Sequence, residues 1–243
     1  MKDRVCVVAC FLALVAASAP AMASILDFTD ALGLLEAEAT FEASGSDLLV
    51  TLTNTSGNDV VDPSEVLTGL FWDVTGSPAL TPVSAWLSGG STVFFGPDGG
   101  GNVGGEWAYE EGLSGAPGGT AYGISSAGLG LFGAPAFGGA NLQGPAAVDG
   151  LSYGLTSAGD DTSTGNTAVT GRFPLIQNAV QFTLSGLPTG FEPEEQVTNI
   201  WFQYGTSLTE PTYGGGNEVP EVPAYALAVL GLLPLGLRWR RRR

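Results

Sequence analysis

Hydrophobic and polar residues alternate along two neighbouring segments near the start of the chain. The apolar positions are Ala37, Ala39, Phe41, Ala43, Leu48, Val50 and Leu52. A period of two is typical of strands with one buried face. The polar Ser44-Gly45-Ser46 segment between the two runs supplies turn residues, so the pattern predicts a β-hairpin.

Four later segments show strand-like patterns, at residues 66–75, 91–95, 180–185 and 197–204. The first carries large apolar side chains on both faces and should be buried on both sides. Short strands with turn residues between them favour an all-β fold, an antiparallel β-sandwich of jelly-roll-like type. The expected core residues are Phe41, Leu48, Val50, Val180, Phe182, Ile200 and Phe202.

Residues 28–40 allow a second interpretation. Phe28, Leu32, Leu35 and Ala39 also fit the period of 3.6 residues that is typical of an amphipathic helix. A short helix here is therefore the alternative to a strand.

Residues 96–150 contain 18 glycines in 55 positions, too many for a continuous packed sheet. One interpretation is long loops with short strands at the rim of the sandwich, anchored by buried aromatic side chains. These anchors would be Trp107, Tyr109, Tyr122, Phe132 and Phe137. The other interpretation is a partly disordered low-complexity insert.

Charge is distributed unevenly along the 243 residues. The chain has 37 glycines and 15 prolines, which argues against long helices, and its formal net charge is −16. Between residues 24 and 220 there are 22 acidic residues and one basic residue, Arg172, a net charge of −21. Nucleic-acid binding depends on clustered Lys and Arg, so this composition excludes it.

The N-terminus has the three parts of a secretory signal peptide. Basic Lys2 and Arg4 precede an apolar run at 5–17, and the small residues Ala21 and Ala23 follow it. The pattern predicts cleavage between Ala23 and Ser24. An uncleaved anchor helix, or a lipoprotein processed at Cys10, is the alternative. Because Cys6 and Cys10 both lie in residues 1–23, the mature chain would form no disulfide.

The C-terminus ends in an apolar run of 16 residues, 222–237, and a basic cluster. As a helix this run would measure about 24 Å, slightly less than a bilayer core. The cluster consists of Arg238, Arg240, Arg241, Arg242 and Arg243. Arginines are retained on the cytoplasmic side, so the pattern predicts a transmembrane helix with the acidic body outside. A buried core helix is the alternative.

A short motif precedes this predicted helix and completes a three-part signal. Together with the apolar run and the arginines, it resembles the PEP-CTERM sorting signal of exosortase substrates. The motif residues are Val219, Pro220, Glu221 and Pro223, with Val222 inserted into the usual Val-Pro-Glu-Pro order. The resemblance covers about 25 residues plus the signal peptide. It implies transport by the export machinery, transient anchoring in the inner membrane, and processing by an exosortase-type enzyme. Display at the cell surface, often alongside exopolysaccharide, would follow.

The chemistry available to a mature chain is narrow. The chain has no His, and its body has neither Cys nor Lys, which excludes Ser-His-Asp, Cys-His and Ser-Lys catalysis and the usual zinc ligands. Glycoside hydrolysis needs only two carboxylates, for which Glu106, Glu110 and Glu111 are candidates. These acids are also consistent with an ordinary solvated surface.

Calcium binding is a better candidate than catalysis, since calcium binds carboxylate, amide and carbonyl oxygens in loops. The candidate groups are Asn58 and Asp59 with Asp62, Asp98 with Asn102, and Asp160 and Asp161 with Asn166. None has the spacing of a known calcium loop. The alternative is that these residues form turns and confer solubility.

The sequence therefore predicts four parts: a signal peptide at 1–23, an acidic β-sandwich at 24–213, a Gly-rich linker at 214–218 and a sorting signal at 219–243. The favoured function is a non-enzymatic, exported surface or matrix protein without a cofactor. A carbohydrate-binding module is the alternative, and a secreted glycosidase is a third class. A row of exposed aromatic rings on one sheet face would favour carbohydrate binding, whereas enclosed rings would favour a structural role.

Overall fold

The computed structural model describes residues 24–133, 135–142, 148, 150–164 and 173–215, and it is an all-β domain. The strands are β1 Ile25–Leu32, β2 Leu35–Ser44, β3 Asp47–Asn54, β4 Leu67–Val74, β5 Thr81–Leu87, β6 Thr92–Phe94, β7 Ala108–Glu111, β8 Tyr122–Ser125, β9 Leu155–Thr156, β10 Leu175–Gln177, β11 Ala179–Ser185, β12 Val197–Tyr204 and β13 Thr212–Gly214. One short helix, α1, covers Pro193–Gln196, and four 3-10 turns lie at Pro63–Glu65, Gly99–Gly101, Gly104–Glu106 and Pro117–Gly119.

The first sheet has five antiparallel strands in the order β1-β2-β3-β11-β5. The predicted hairpin is confirmed, because β2 pairs with β3 around Gly45. The helical alternative for 28–40 is wrong. β1 ends at Leu32, and Gly33, with φ of 67°, turns the chain back into β2. A tight hairpin turn of this kind needs positive φ, which glycine adopts without strain.

The second sheet has eight strands. Its main path is β13-β12-β4-β9-β10-β6. In addition, β8 pairs with β4, and β7 pairs with β8. β9 and β10 run parallel, so the sheet is mixed, and the expectation of a purely antiparallel sandwich is wrong at this pair. Asn199, with φ of 53°, sits at a register shift in β12 between Thr198 and Trp201.

The core lies between the two sheets and contains every residue that the sequence predicted there. Phe41, Leu48, Val50, Val180, Phe182, Ile200 and Phe202 are all fully buried. Aromatic pairs join the sheets, with Phe41 edge-on to Trp72 at 5.6 Å between ring centroids. Such pairs add stability beyond the burial of their area.

The glycine-rich segment forms loops, short strands and 3-10 turns over most of its described length. All five predicted aromatic anchors are buried: Trp107, Tyr109, Tyr122, Phe132 and Phe137. Phe132 also packs with Phe71, Ala108 and Ala116 in a second, smaller core on the other face of the larger sheet. A Cβ on Gly123 would lie 2.7 Å from the Phe71 ring, so glycine is required for this close packing.

The described residues contain no helix long and apolar enough to cross a membrane. The predicted signal peptide at 1–23 and the sorting signal at 219–243 lie outside those residues. Gly214 and Gly215, the first two residues of the predicted linker, pair with β12. Gly214 lies opposite Trp201 in the β12–β13 ladder, and Gly215 donates its N–H to the Ile200 carbonyl at 2.8 Å.

Candidate functional site

Two of the carboxylates considered for glycoside hydrolysis, Glu106 and Glu111, accept hydrogen bonds within the fold. Glu106 is 2% exposed, and its Oε1 accepts a hydrogen bond from the Leu142 N–H at 2.8 Å. Glu111 Oε2 accepts from the Leu80 N–H at 3.0 Å and from the Tyr109 hydroxyl at 3.2 Å. Burial, followed by the charge of Glu111, raises the pKa of Tyr109 well above its usual value.

These acids are also arranged differently from a catalytic pair. Glu106 and Glu111 are five positions apart along an extended segment, which corresponds to a backbone distance of about 17 Å. Glu110 and Glu111 are adjacent in β7 and point to opposite faces of the strand. A glycosidase instead holds two carboxyl groups about 5–10 Å apart across one sugar.

Two of the three calcium candidates come together in space. The loop that holds Asp59 lies against the loop that holds Asp160 and Asp161, and we call these three residues the acidic clasp. Asp59 Oδ1 accepts from the Asp161 N–H at 2.9 Å, and Asp160 Oδ1 accepts from the Val60 N–H at 3.1 Å. The hydroxyl of Thr164 donates to Asp59 Oδ2. Asn166 lies outside the described residues.

The three clasp carboxylates have different electrostatic surroundings. Burial raises the pKa of Asp160, and the neighbouring Asp59 raises it further. Hydrogen bonds from Thr164 and from the Asp161 N–H lower the pKa of Asp59. Those from the Ser163 hydroxyl and N–H lower the pKa of Asp161. Each carboxylate therefore has protein donors already in place. Within the described ranges, no group of three or more His, Cys, Asp or Glu side chains is arranged to hold a metal ion.

The remaining calcium candidates cap turns. Asp62 Oδ1 accepts from the Ser64 N–H at 2.9 Å and begins the Pro63–Glu65 turn. Asp98 Oδ1 accepts from the Gly100 N–H at 3.0 Å, and Asn102 Oδ1 accepts from the Gly104 N–H at 3.0 Å. This is the local side-chain bonding for which Asp and Asn are favoured in turns.

A small cavity lies beside the clasp, between the β1–β2 turn and the 54–60 loop. Leu34, Asn58 and Asp59 are among its lining residues, and its volume is about 30 Å³. This volume accommodates a single water molecule but not a sugar ring.

Most aromatic rings are enclosed, and this arrangement favours a structural role for them. Among the described residues, the exposed aromatic side chains are Trp86 at 47%, Phe95 at 46% and Phe173 at 38%. They do not form a row of rings. Trp86 is nevertheless distinctive, since it is the most exposed of the described tryptophans and lies on the outer face of the five-stranded sheet. It lies in β5, where its neighbour Ala85 points into the core.

The register of the five-stranded sheet defines what lies beside Trp86. Across the outer face, the residues opposite one another are Trp86, Gln181, Thr51, Thr40 and Asp27, which we call the Trp86 row. All members after Trp86 are polar and partly or fully exposed. Sequence reasoning missed β5. Ser84 and Trp86 alternate with Ala85 and Leu87, but the run begins with Thr81-Pro82, which obscures the pattern.

Comparison of the chain with known protein families, with curated proteins and with solved structures finds no significant match.

Proposed function

We propose that this protein is an exported cell-surface or extracellular-matrix protein of structural or interaction type, processed by an exosortase-type membrane enzyme. The observation that carries the proposal is the three-part order at the C-terminus combined with a signal peptide at the N-terminus. The motif residues Val219, Pro220, Glu221 and Pro223 stand immediately before the apolar run and the arginines. The protein is not an enzyme in this proposal, and its partners are the export machinery, the processing enzyme and exopolysaccharide.

The composition of the described domain is compatible with an extracellular location. The domain contains no cysteine, so its stability does not depend on the redox state of its surroundings. Late strands pair with early strands in both sheets, β11 between β3 and β5, and β12 beside β4. Such pairing ties the two ends of the domain together.

The hydrogen bond of Gly215 to β12 limits how far the motif can lie from the folded domain. Gly215 is hydrogen-bonded to β12, and Val219 follows four residues later. Four extended residues span at most about 14 Å. An enzyme that reads the motif would therefore work close to the surface of the folded domain.

Cell fractionation of a motif variant tests this proposal. Replacing Pro220 and Glu221 with alanine should leave export intact but retain the chain in the membrane fraction. The matched control replaces Asn217 and Glu218, which lie just before the motif, and should be released to the surface like the natural protein. Equal release of both variants would contradict processing at the motif.

A carbohydrate-binding module on the same scaffold is the second candidate. One specific observation favours it, the exposed indole of Trp86 beside a row of polar side chains on the outer face of the five-stranded sheet. Trp and Tyr side chains combine a large apolar surface with a polar group, which suits them to amphipathic ligands such as sugars.

A further inference from the structure

We propose that the outer face of the five-stranded sheet binds an oligosaccharide carrying protonated amino groups, with Trp86 as the stacking platform. This inference rests on the surface-display function proposed above and adds to it a ligand class and a site. The ligand class is inferred from three features of the face: an exposed indole, a row of polar side chains and an excess of carboxylates.

The Trp86 indole is exposed, and the backbone that carries it is paired with Gln181 of β11. The Gly99–Gly101 turn lies beside the ring, since a Cβ on Gly101 would lie 3.6 Å from Trp86 Cε3. The backbone of Trp86 also pairs with that of Asn102, and the Val103 N–H donates to the Ala85 carbonyl at 3.0 Å. A side chain on a backbone that is already fixed loses less conformational entropy when a ligand stacks on it than one on a mobile loop. Anchors of this kind contribute most of the energy in many binding sites.

The Trp86 row continues from the indole across all five strands. Strands in a sheet lie about 4.8 Å apart, so the row from Trp86 to Asp27 measures about 19 Å, which suits a short oligosaccharide. Gln181 Nε2 donates to Thr51 Oγ1 at 3.4 Å, so these neighbours reach each other along the row. Amide and hydroxyl groups both donate and accept, as sugar hydroxyls do.

The far half of the face carries the negative charge. Glu38 and Glu42 flank Thr40 on the same side of β2, each two residues away. Asp27 lies opposite Thr40 on β1 and is exposed. The described residues include no Lys, Arg or His to neutralise these acids. The face therefore attracts ammonium groups and repels anionic polymers. This charge complementarity selects an amino-sugar chain over a neutral or acidic polysaccharide.

Calorimetric titration of the purified full-length chain with a glucosamine tetramer tests the site, under mildly acidic conditions that protonate its amines. Trp86→Ala should weaken binding about tenfold, the effect of removing one stacking aromatic ring. Phe95→Ala is the matched control, since Phe95 is 46% exposed but lies beside β6 of the other sheet. It should bind like the natural protein. Absence of binding, or equal loss in both variants, would overturn the proposal.

A second pair of variants tests the charge. Glu38→Gln with Glu42→Gln should remove the preference for the glucosamine tetramer over its N-acetylated form. Glu194→Gln with Glu195→Gln, an equal charge change on α1, should retain that preference. Titration with a lysine tetramer tests whether charge attraction alone explains the binding. If it binds as tightly as the sugar and Trp86→Ala has no effect on either ligand, only diffuse charge attraction is present and the site is wrong.

Measuring surface display together with sugar binding distinguishes a failure of the binding site from a failure of the proposed function. Trp86→Ala should reach the cell surface in normal amounts while losing affinity for the sugar. A displayed protein that does not bind the tetramer contradicts the binding site alone. A protein that binds the tetramer in purified form but is never displayed contradicts the proposed function alone.

Discussion

Asp161 donates its backbone N–H to the carboxylate of Asp59 at 2.9 Å, across 102 positions of the sequence. One residue earlier, Asp160 accepts from the Val60 N–H at 3.1 Å. These two bonds cross-link the loops in both directions and hold carboxylates of like charge close together. This arrangement destabilises mainly the ionised form of Asp160, because burial and the charge of Asp59 both raise the pKa of Asp160.

Asp59→Asn should lower the melting temperature at neutral pH, because the hydrogen bonds from Thr164 and Asp161 favour the charged carboxylate. A carboxyl group whose pKa is lowered by folding stabilises the fold above its unfolded pKa and loses this contribution as pH falls through its folded pKa. The deficit of the variant should therefore shrink in acid. Thermal unfolding across the acidic range checks this, and a deficit independent of pH would contradict it.

Asp160→Asn should have the opposite effect. The pKa of Asp160 is raised, so its stability contribution falls as pH rises from its unfolded pKa through its folded pKa. Asparagine can still accept from the Val60 N–H but carries no charge beside Asp59. The variant should melt higher than the natural protein at neutral pH, and the difference should vanish in acid. A lower melting temperature at neutral pH would show that the charge of Asp160 is required.

Calcium and sodium should stabilise the protein equally at matched ionic strength. The net charge of −21 between residues 24 and 220 produces self-repulsion that any salt screens. The clasp carboxylates already accept bonds from protein donors, so a metal would have to displace them. Melting temperatures in millimolar Ca²⁺, in Mg²⁺ and in matched NaCl check this. A larger shift with Ca²⁺ alone would indicate a specific site, because a ligand that binds only the folded state adds stability.

Gly123→Ala should destabilise the domain by about 1–3 kcal/mol, the usual cost of overpacking a core. Its new Cβ would lie 2.7 Å from the Phe71 ring and 2.9 Å from Leu113 Cδ1. Gly89→Ala is the matched control, since a Cβ there meets nothing within 4 Å. Urea unfolding of both variants measures the difference. Equal stability would mean that the second core around Phe71 adapts to the added methyl group.

The strands with regular alternation could be predicted from the sequence, because each residue's face follows from its position alone. Val180, Phe182 and Leu184 point inward for this reason. The helical alternative at 28–40 is wrong because Gly33 forms a turn within that segment. The spacing of Phe28 and Leu32, which fits a helix, gives no sign of this turn.

The candidate sites depended on contacts that no local pattern encodes. The sequence identifies Asp59 and Asp160 as polar loop residues, but their proximity follows from the sheet topology. The exposure of Trp86 depends on which neighbours cover β5, which the sequence does not show. Pairing with β11 places Trp86 opposite Gln181, and the turn at Gly101 lies beside its ring.

Intact mass analysis of the protein isolated from its native envelope tests processing at both ends of the chain. We expect a mature form that begins at Ser24 and lacks Arg238, Arg240, Arg241, Arg242 and Arg243, whether or not a group is attached at the new C-terminus. A surface form that begins at Ser24 but retains these arginines would contradict processing and indicate a simply anchored protein. A form that retains residues 1–23 would contradict the predicted signal cleavage.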